Sequence, residues 1–594
     1  MANEQNDQLS AIRHSLAHLM AAAVIELYPG AKNTIGPAIE NGFYTDFEMP
    51  EPISEEDLPK IEQKMRDILK TWSKFERREA TVEEGREVFA WNPYKLEMLE
   101  ELAKNGEAIT IYTSGEFVDL CRGGHVDDAH SINPKSFKLT KVSGAYWRAD
   151  QTKQQLQRIY GVAFETPDKL KEYLAMMEEA KVRDHRKLGQ ELDLFVFSDL
   201  IGPGLPLYTP RGTVLRRQLD NFVQEMRDEY DYQEVNIPHI TKKDAYIASG
   251  HWKKFADELF RITTREGHEF AMKPMNCPHH TQIYAARSRS YKELPIRYRE
   301  TTTCYRDEQS GELSGLSRVR AFTQDDAHVF CRISQVEEEA LKIWDIIDRF
   351  YGAFGFELKV RFSTHDPANM ESYSGGADKW ESAEGQLLNI IKQKVGDSYI
   401  DGVGEAAFYG PKIDFMAKDA IGREHQVATI QLDFNQPEGF DLTCVNETGD
   451  RERILMIHAA VMGSIDRFLS VYIEHSAGKF PIWLAPEQVR IITLNQDEAI
   501  VKFASDVAAQ AKKLGLRATV DDDNESVGKK IRNAEIMKVP YTVVIGQKEV
   551  ESGELTPRVR KDIEVSAEHE PHTIDEFLKT VAHETKSRIN KTSL

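Results

Sequence analysis

Hydrophobic side chains near the start of the chain recur at the spacing of an amphipathic helix. Leu9, Ile12, Leu16 and Leu19 follow one another at steps of three and four residues. This spacing places them on one side of an α-helix. The pattern predicts a helix over residues 9–28, which ends because a proline and a glycine come next.

A pattern with a period of two runs through the middle of the chain, from residue 297 to residue 331. It predicts two β-strands joined by a polar loop that contains Gly311 and Gly315. Side chains on a strand alternate between its faces. One face of the second strand would carry Arg318, Arg320, Phe322, Gln324, Asp326 and His328. A solvated face rarely combines cations with an aromatic ring and an imidazole. We therefore favour a binding site for a phosphorylated ligand over an ordinary exposed face.

Two further patterns divide the chain into domains. A highly charged stretch that follows Thr166 and Pro167 predicts a solvent-facing helix, which we interpret as a linker. Beyond Pro486, strands and helices alternate in the order β-α-β-α-β, which predicts a small α/β domain with a largely parallel core. The predicted division is residues 1–165, a linker helix at 166–190, residues 191–484 and residues 485–594.

Composition narrows the class of protein. The 594 residues are 41% hydrophobic and 29% charged, as is typical of globular proteins, and no apolar run is long enough to span a membrane. The first residues lack a secretory pattern, and the five cysteines are few and widely spaced. We therefore expect a cytoplasmic protein. The net charge of −21 disfavours a polyanionic partner unless local basic patches contribute.

Two pairs of possible metal ligands lie far apart in the sequence. His14 and His18 are four residues apart, so they share one face of the predicted first helix. Cys121 and His125 form the second pair. Three nitrogens and one sulfur would suit a tetrahedral zinc site. Each pair alone is a weak signal, because histidines at this spacing more often lie on a surface.

The central strand-loop-strand segment resembles a known family. Arg306-Asp307-Glu308 and the run from Arg318 to His328 resemble motif 2 of class II aminoacyl-tRNA synthetases, most closely that of the threonyl-tRNA synthetases. A helix at 212–230 before a strand that ends at Pro238 resembles motif 1, and the segment from Gly463 to Arg467 resembles motif 3. No P-loop or GxGxxG unit is present. The resemblance covers essentially the whole chain.

This resemblance implies an α+β multidomain protein. Its parts would be an N-terminal α+β editing domain, a catalytic core on an antiparallel sheet and a C-terminal α/β anticodon-binding domain. We expect the small domain that many bacterial relatives carry at their N-terminus to be absent. The implied reaction joins L-threonine to the 3′ end of tRNA(Thr), through a threonyl-adenylate formed from ATP with Mg²⁺. A homodimer is implied, with no membrane partner.

The resemblance also assigns residues to the catalytic site. Arg306 would contact the α-phosphate of ATP, Arg467 would reach ATP, and His251 would be a proton-transfer residue near the tRNA acceptor end. Phe322 would stack on the adenine. The remaining substrate-binding and ATP-binding residues are Arg318, Gln324, Asp326, Tyr409, Gln426, Gln431 and Ser464.

Three residues match the zinc ligands of the family: Cys277, His328 and His458. They leave a fourth position open, which suits a metal that binds substrate. The amino and hydroxyl groups of threonine could fill it, whereas valine lacks the hydroxyl group. Serine keeps the hydroxyl group, so a second site must remove serine that has been attached to tRNA by mistake. We treat three nearby side chains as bystanders: His279, His280 and Cys331.

The six residues that match the family's editing site are His14, His18, Lys95, Asp119, Cys121 and His125. That site hydrolyses seryl-tRNA and usually works without metal, so the resemblance favours water activation over the zinc site suggested by the ligand types. The anticodon would be read by Asn524, Glu549 and Arg558. Two alternatives stay open. One is a class II synthetase for another amino acid, and the other is a non-catalytic tRNA-binding or regulatory paralogue.

Overall fold

The computed structural model describes residues 2–150, 152–566 and 570–594. The chain forms two compact units that meet in sequence between Glu178 and Glu179, and each is described by itself. Among the described residues, no helix is both long and apolar enough to cross a membrane.

The N-terminal unit packs one long helix against an antiparallel sheet. Its helices are α1 (Ala2–Leu27), α2 (Leu58–Leu69), α3 (Val82–Val88) and α4 (Pro93–Lys104). Its strands are β1 (Lys32–Asn33), β2 (Ala38–Ile39), β3 (Gly42–Glu48), β4 (Glu76–Glu79), β5 (Thr110–Ser114), β6 (Phe117–Leu120), β7 (Phe137–Tyr146) and β8 (Gln155–Ala163). The main sheet has the order β1-β3-β8-β7, and β4-β5-β6 form a second sheet. The first predicted helix is confirmed as part of α1, whose apolar face is buried on β3.

The predicted linker helix is two helices. They are α5 (Pro167–Arg183) and α6 (His185–Glu191). Thr166 accepts a hydrogen bond from the Lys169 N–H, as an N-cap does. The break comes at Asp184, whose side chain accepts from the Arg186 N–H and so starts a new helix.

The second unit holds a larger set of elements before residue 484. Its helices are α7 (Pro210–Asp228), α8 (Lys243–Ala248), α9 (His251–Lys254), α10 (Cys277–Ala285), α11 (Val336–Ala353), α12 (Ala377–Val395), α13 (Asn435–Gly439) and α14 (Ile465–Ser476). Its first strands are β9 (Phe195–Val196), β10 (Leu207–Tyr208), β11 (Gln233–Glu234), β12 (Ile240–Lys242), β13 (Arg261–Thr263), β14 (Glu269–Met272), β15 (Ile296–Tyr305) and β16 (Ala321–Cys331). The others are β17 (Glu357–Thr364), β18 (Tyr399–Val403), β19 (Lys412–Lys418), β20 (Glu424–Asp433), β21 (Thr443–Val445), β22 (Arg451–Arg453) and β23 (Leu455–Ser464).

An eight-stranded sheet organises this part, in the order β11-β15-β16-β23-β20-β19-β17-β18. Its pairs are antiparallel except for β11 with β15 and β18 with β17. The second predicted strand begins later than expected, at Ala321. Arg318 and Arg320 therefore lie in the loop. Their backbone is drawn out of the ladder, because the Arg320 N–H donates to Gly204 O and the Arg318 carbonyl closes a turn with Ser314.

The C-terminal part confirms the predicted β-α-β-α-β order. Its strands are β24 (Val489–Thr493), β25 (Ala518–Asp521), β26 (Tyr541–Ile545), β27 (Glu554–Leu555), β28 (Arg558–Val559), β29 (Glu564–Val565), β30 (His572–Thr573) and β31 (Lys591–Thr592). Its helices are α15 (Glu498–Lys513), α16 (Val527–Ile536), α17 (Gln547–Ser552) and α18 (Ile574–Ser587). Strands β25, β24 and β26 run parallel, and β28 is antiparallel at the edge.

Candidate functional site

A small cavity of about 130 Å³ opens where β16, β23 and β20 lie side by side. Its wall contains most of the residues that the sequence analysis predicted to bind the amino acid substrate. The lining residues are His251, Phe255, Met275, Cys277, Arg306, Gln324, Asp326, His328, Tyr409, Thr429, Gln431, His458, Ala459 and Ala460.

Three buried ligand atoms converge in this cavity. The sulfur of Cys277, at the first turn of α10, and ring nitrogens of His328 and His458 all lie within 4.8 Å of one another. His328 and His458 are register partners on β16 and β23, which places His328 Nε2 3.0 Å from His458 Nδ1. The predicted ligand set is therefore brought together.

Neighbouring groups prepare these side chains to bind a cation. His458 Nε2 lies 2.9 Å from Asp433 Oδ2, so it donates its proton there and leaves the Nδ1 lone pair facing the cluster. Burial lowers the pKa of His328 well below its usual value, which keeps the ring neutral. Burial also raises the pKa of the Cys277 thiol well above its usual value, so a thiolate there needs a cation. One sulfur and two nitrogens with an open side fit zinc.

The opposite wall is polar. Asp326 accepts a hydrogen bond of 2.9 Å from the Asn276 amide, and burial raises the pKa of Asp326. The Tyr409 hydroxyl donates to Gln431, and its ring stacks on His458 with the centroids 5.0 Å apart. These side chains leave oxygen atoms that can orient a small polar substrate beside the metal ligands.

The structure does not bring Gln426 into this cavity. Its amide nitrogen donates to Asp414 at 2.9 Å, and its oxygen accepts from Arg361 at 2.8 Å. These two charged neighbours on β19 and β17 use both ends of the amide. Gln426 is therefore part of a salt-bridge network on the sheet, apart from the lining residues.

Two arginines of this unit, one of them in the cavity wall, have incomplete pairing. Arg306 lies over the Phe322 ring at 5.2 Å, and its closest carboxylate, on Glu258, is 3.8 Å away. In the described part of the chain Arg467 has no ion pair, and desolvation lowers the pKa of its guanidinium. A guanidinium without a carboxylate partner suits a phosphate.

Arg318 and Ser464 have protein partners. Arg318 Nε donates to Glu308 at 2.7 Å, and a second nitrogen lies 3.1 Å from Glu312. Ser464 accepts from the Arg467 N–H and so caps α14. Arg318 must leave its carboxylates before it can contact a phosphate.

His251 lies in the same cavity wall, only 1% exposed. Its Nδ1 is 2.8 Å from the Ser249 hydroxyl. Burial, with the nearby His458 and Arg306, lowers the pKa of His251 to about 3. The imidazole is therefore neutral at physiological pH.

Of the three supposed bystanders, one touches the metal ligands. His280 Nδ1 is 2.8 Å from His328 Nδ1. His279 instead bonds Thr241, and Cys331 is buried in the hydrophobic core. The spacing of His280 from Cys277, three residues along α10, was the available signal, because such residues share a helix face.

The N-terminal unit assembles all six residues of its predicted site. Cys121 Sγ lies 3.4 Å from His14 Nε2 and 3.3 Å from His125 Nε2. A buried carboxylate orients the rest of the site, since Asp119 is 3.3 Å from His18 Nδ1 and 2.6 Å from Lys95 Nζ. A cavity of about 780 Å³ opens over this site and is lined by five of the six residues, all but His125.

The pKa shifts in this second site favour neutral groups. Burial, with the adjoining His18 and His14, lowers the pKa of His125 to about 2. Burial raises the pKa of Cys121 to about 11. Neutral imidazoles can accept a proton from water, and the same four donors, within 4.8 Å of one another, could also hold a cation.

The three residues assigned to the anticodon do not form a cluster with special chemistry. Asn524 and Arg558 are exposed. Glu549 accepts from the Gly546 N–H at 2.8 Å, which caps α17. They lie on one small α/β domain, as expected.

Comparison with known proteins assigns the class first. A model of the class II tRNA synthetase core domain (G, H, P, S and T) matches residues 260–476, and an anticodon-binding domain matches 488–584. A second additional domain of threonyl and alanyl tRNA synthetases matches 109–160. With the eight-stranded sheet and the weakly paired Arg306, these matches define a class II aminoacyl-tRNA synthetase.

Whole-chain relatives narrow the class further. The chain is 47% identical to threonine–tRNA ligase of Phocaeicola vulgatus, covering 97% of this chain and 89% of that one. It is 48% identical to that of Gloeobacter violaceus, over 93% and 89%. The chain belongs to the threonyl-tRNA synthetases. A threonyl-tRNA synthetase structure from Cryptosporidium parvum has a TM-score of 0.62 at 34% identity, covering 68% of this chain and 98% of that one. A Giardia lamblia prolyl-tRNA synthetase, at 18% identity and a TM-score of 0.54 over 70% and 81%, shares the fold.

Proposed function

We propose that the catalytic cavity activates L-threonine with ATP and transfers it to the 3′ end of tRNA(Thr). The threonine carboxylate attacks the α-phosphate, pyrophosphate leaves, and the terminal ribose hydroxyl of tRNA then displaces AMP from the adenylate. The observation that carries this proposal is the convergence of Cys277, His328 and His458 beside Asp326 in a cavity that suits a small amino acid.

Selectivity for threonine follows from the ligand set. Bound by these three side chains, zinc supplies an open position that prefers nitrogen and oxygen over a methyl group. The opposite wall orients the substrate through four polar side chains: Asp326, Gln324, Tyr409 and Gln431. A site built on polar contacts rejects an analogue that lacks the hydroxyl group far more strongly than an apolar pocket does. Valine is therefore excluded.

Charge stabilisation is the task of the arginines. Arg306 and Arg467 hold ATP oxygens, and Phe322 stacks on the adenine. Arg318 joins them when it exchanges Glu308 for phosphate. Mg²⁺ accompanies the triphosphate. Neutral His251 accepts a proton when the tRNA hydroxyl attacks.

The N-terminal site would correct the errors of the first. Serine keeps the hydroxyl group, so the zinc site admits it. His14, His18 and His125 would position and activate water on the ester of seryl-tRNA, while the Lys95–Asp119 pair orients His18. Because the family's editing site usually works without metal, we propose that this site does so too, with the Cys121 thiol protonated.

Assembly and location complete the proposal. Exposed apolar side chains cluster by sequence before α7, where Leu200 is 94% exposed and Phe197 41% exposed. Such a patch favours a partner subunit, so we propose a homodimer. Because the five cysteines are few and widely spaced, we propose that it works in the cytoplasm. We also propose the four-part division at residues 165, 190 and 484, with the last part reading the anticodon through Asn524, Glu549 and Arg558.

The test is amino-acid-dependent exchange of pyrophosphate into ATP, measured across all amino acids together with zinc content. We expect exchange with threonine, weaker exchange with serine, none with valine, and about one zinc per chain. Exchange with a different amino acid would assign another class II activity. Zinc binding with no exchange at all would indicate a regulatory paralogue.

A further inference from the structure

A histidine of α6 holds the loop between β15 and β16. The Leu316 N–H donates to His185 Nε2 at 3.0 Å, and both residues are buried. His185 Nδ1 lies 2.6 Å from Glu474 Oε1 on α14. Because Nε2 accepts a hydrogen bond, the proton of the neutral ring lies on Nδ1 and is donated to Glu474. One side chain thus joins three separate segments.

The loop backbone lies directly against this imidazole. Gly315 has a φ of +50°, and a Cβ at this position would overlap His185 Nε2. A side chain would therefore have to push the loop away from α6. The absence of a Cβ at Gly315 and the hydrogen bond from the Leu316 N–H are two independent signs that the loop backbone lies close to the His185 ring.

A second connection joins the same loop to α14. The hydroxyl groups of Ser317 and Ser470 are 3.0 Å apart, and Ser470 donates to the Arg467 carbonyl at 2.7 Å. Ser317 is therefore the donor to Ser470. The loop is therefore hydrogen-bonded to the turn of α14 that begins at Arg467.

These contacts also explain why Asp184, His185 and Glu474 lie close together without forming a metal site. Both ring nitrogens of His185 are already used. The Asp184 carboxylate is paired with Arg186, and the second oxygen of Glu474 is paired with Arg423. The cluster is a satisfied network, and its purpose is to hold the loop.

We propose that His185 is a positioning residue for the nucleotide site. Through Leu316 it sets the position of the loop that runs from Arg306 to Arg320 and carries Arg318. The two ends of this loop are joined by the hydrogen bond from the Arg306 N–H to Arg320 O. This role rests on the proposed function, because it takes both arginines as ATP contacts. The metal ligands lie on other segments, so binding of threonine is independent of His185.

The experiment compares two replacements that each keep half of the imidazole. His185→Gln can still accept from Leu316, because its amide reaches the position of Nε2. His185→Asn keeps only a group near Nδ1 and leaves the buried Leu316 N–H without an acceptor. The free-energy cost of leaving a buried N–H without an acceptor corresponds to a change of about tenfold or more in an equilibrium constant. We therefore expect the KM for ATP in pyrophosphate exchange to rise about tenfold in His185→Asn and to stay near wild type in His185→Gln.

Gly315→Ala is the second, independent variant, since it displaces the loop while His185 stays intact. We expect it to reproduce the rise in KM for ATP, with the KM for threonine and the zinc content unchanged. His268→Asn, an exposed histidine of the same unit, is the matched control. A lower Tm with an unchanged KM for ATP in both His185→Asn and Gly315→Ala would overturn the positioning role. Absence of threonine-dependent exchange in the wild-type chain would instead overturn the proposed function.

Discussion

His280 and His328 face each other through their Nδ1 atoms at 2.8 Å. If His328 binds a metal through Nε2, its proton lies on Nδ1 and is donated to His280. The proton of His280 then lies on Nε2, which is 3.8 Å from Glu300 Oε2. Neither of these two buried atoms has a hydrogen-bond partner within the described residues. The three side chains therefore form a chain from a carboxylate to a metal ligand, which orients the ligand and raises its basicity.

Replacement of His280 tests this chain. We expect His280→Ala to weaken zinc binding by about 10–100-fold, because His328 loses the acceptor that fixes its tautomer. The measurement is zinc affinity by competition with a chelator. His279→Ala is the matched control, since His279 bonds Thr241 outside the ligand cluster. An equal loss of affinity in both variants would show that α10 was disturbed as a whole.

Removal of a metal ligand should abolish discrimination between threonine and valine. Cys277→Ala leaves two nitrogens, which are too few to hold zinc firmly. We expect loss of zinc and a fall of at least about a hundredfold in the ratio of threonine-dependent to valine-dependent exchange, because a polar site rejects the analogue without the hydroxyl group by about 10⁴–10⁵ and an apolar pocket by only about 10².

The control for this variant is Cys331→Ala, because Cys331 is buried on β16 in a hydrophobic cluster different from that of Cys277. It should keep its zinc at a lower Tm. Retention of zinc and selectivity by Cys277→Ala would contradict the assignment of the metal site.

The low pKa of His251 predicts a specific pH profile. Burial lowers this pKa from 6.5 to about 3, so the folded ring stays neutral where a free histidine would be protonated. The contribution of neutral His251 to the free energy of unfolding is fully present above pH 6.5. It is lost as the pH falls from 6.5 towards about 3, because the unfolded chain then binds a proton that the folded chain does not. We expect single-turnover transfer from preformed adenylate to show no decline attributable to His251 between pH 8 and 6.

A solvated histidine would behave differently. With a pKa of 6.5 it would retain only about a quarter of its neutral form at pH 6. A fourfold decline that disappears in His251→Gln would therefore show that His251 is protonated in this range. A flat profile together with slow transfer in His251→Gln supports a neutral proton acceptor.

The editing site should fail when its buried ion pair is broken. Lys95→Ala leaves the Asp119 carboxylate buried without its 2.6 Å partner, which disturbs the orientation of His18. We expect hydrolysis of preformed seryl-tRNA(Thr) to fall by about a hundredfold, the usual scale for general acid–base catalysis. Threonine-dependent exchange should stay unchanged.

Lys104→Ala is the control, because Lys104 is exposed on the same helix, α4. Hydrolysis by the wild-type chain should also survive a zinc chelator. Loss of hydrolysis with the chelator and its recovery with added zinc would show that the four donors hold a metal after all.

Local periodicity and the motif resemblance predicted much of this site. The alternation of side chains places Phe322, Gln324, Asp326 and His328 on one strand face. The ligands Cys277, His328 and His458 come from the resemblance to the threonyl-tRNA synthetases. The place where β16 starts was mispredicted, because Gly204 and Ser314 bind the backbone of the preceding residues. Such distant partners leave no mark in a local pattern.

The sequence by itself determined most of the helices and strands, the family and the types of ligand, because helix and strand periods and motif residues can be read along the chain. Only the tertiary structure decided how each side chain is paired. His328 and His458 are 130 residues apart and meet through strand register. Tertiary contacts decide three other pairings as well. Gln426 is hydrogen-bonded to Arg361 and Asp414. Arg318 is paired with Glu308, and His280 contacts His328. Pairing depends on three-dimensional distance, which sequence spacing does not measure.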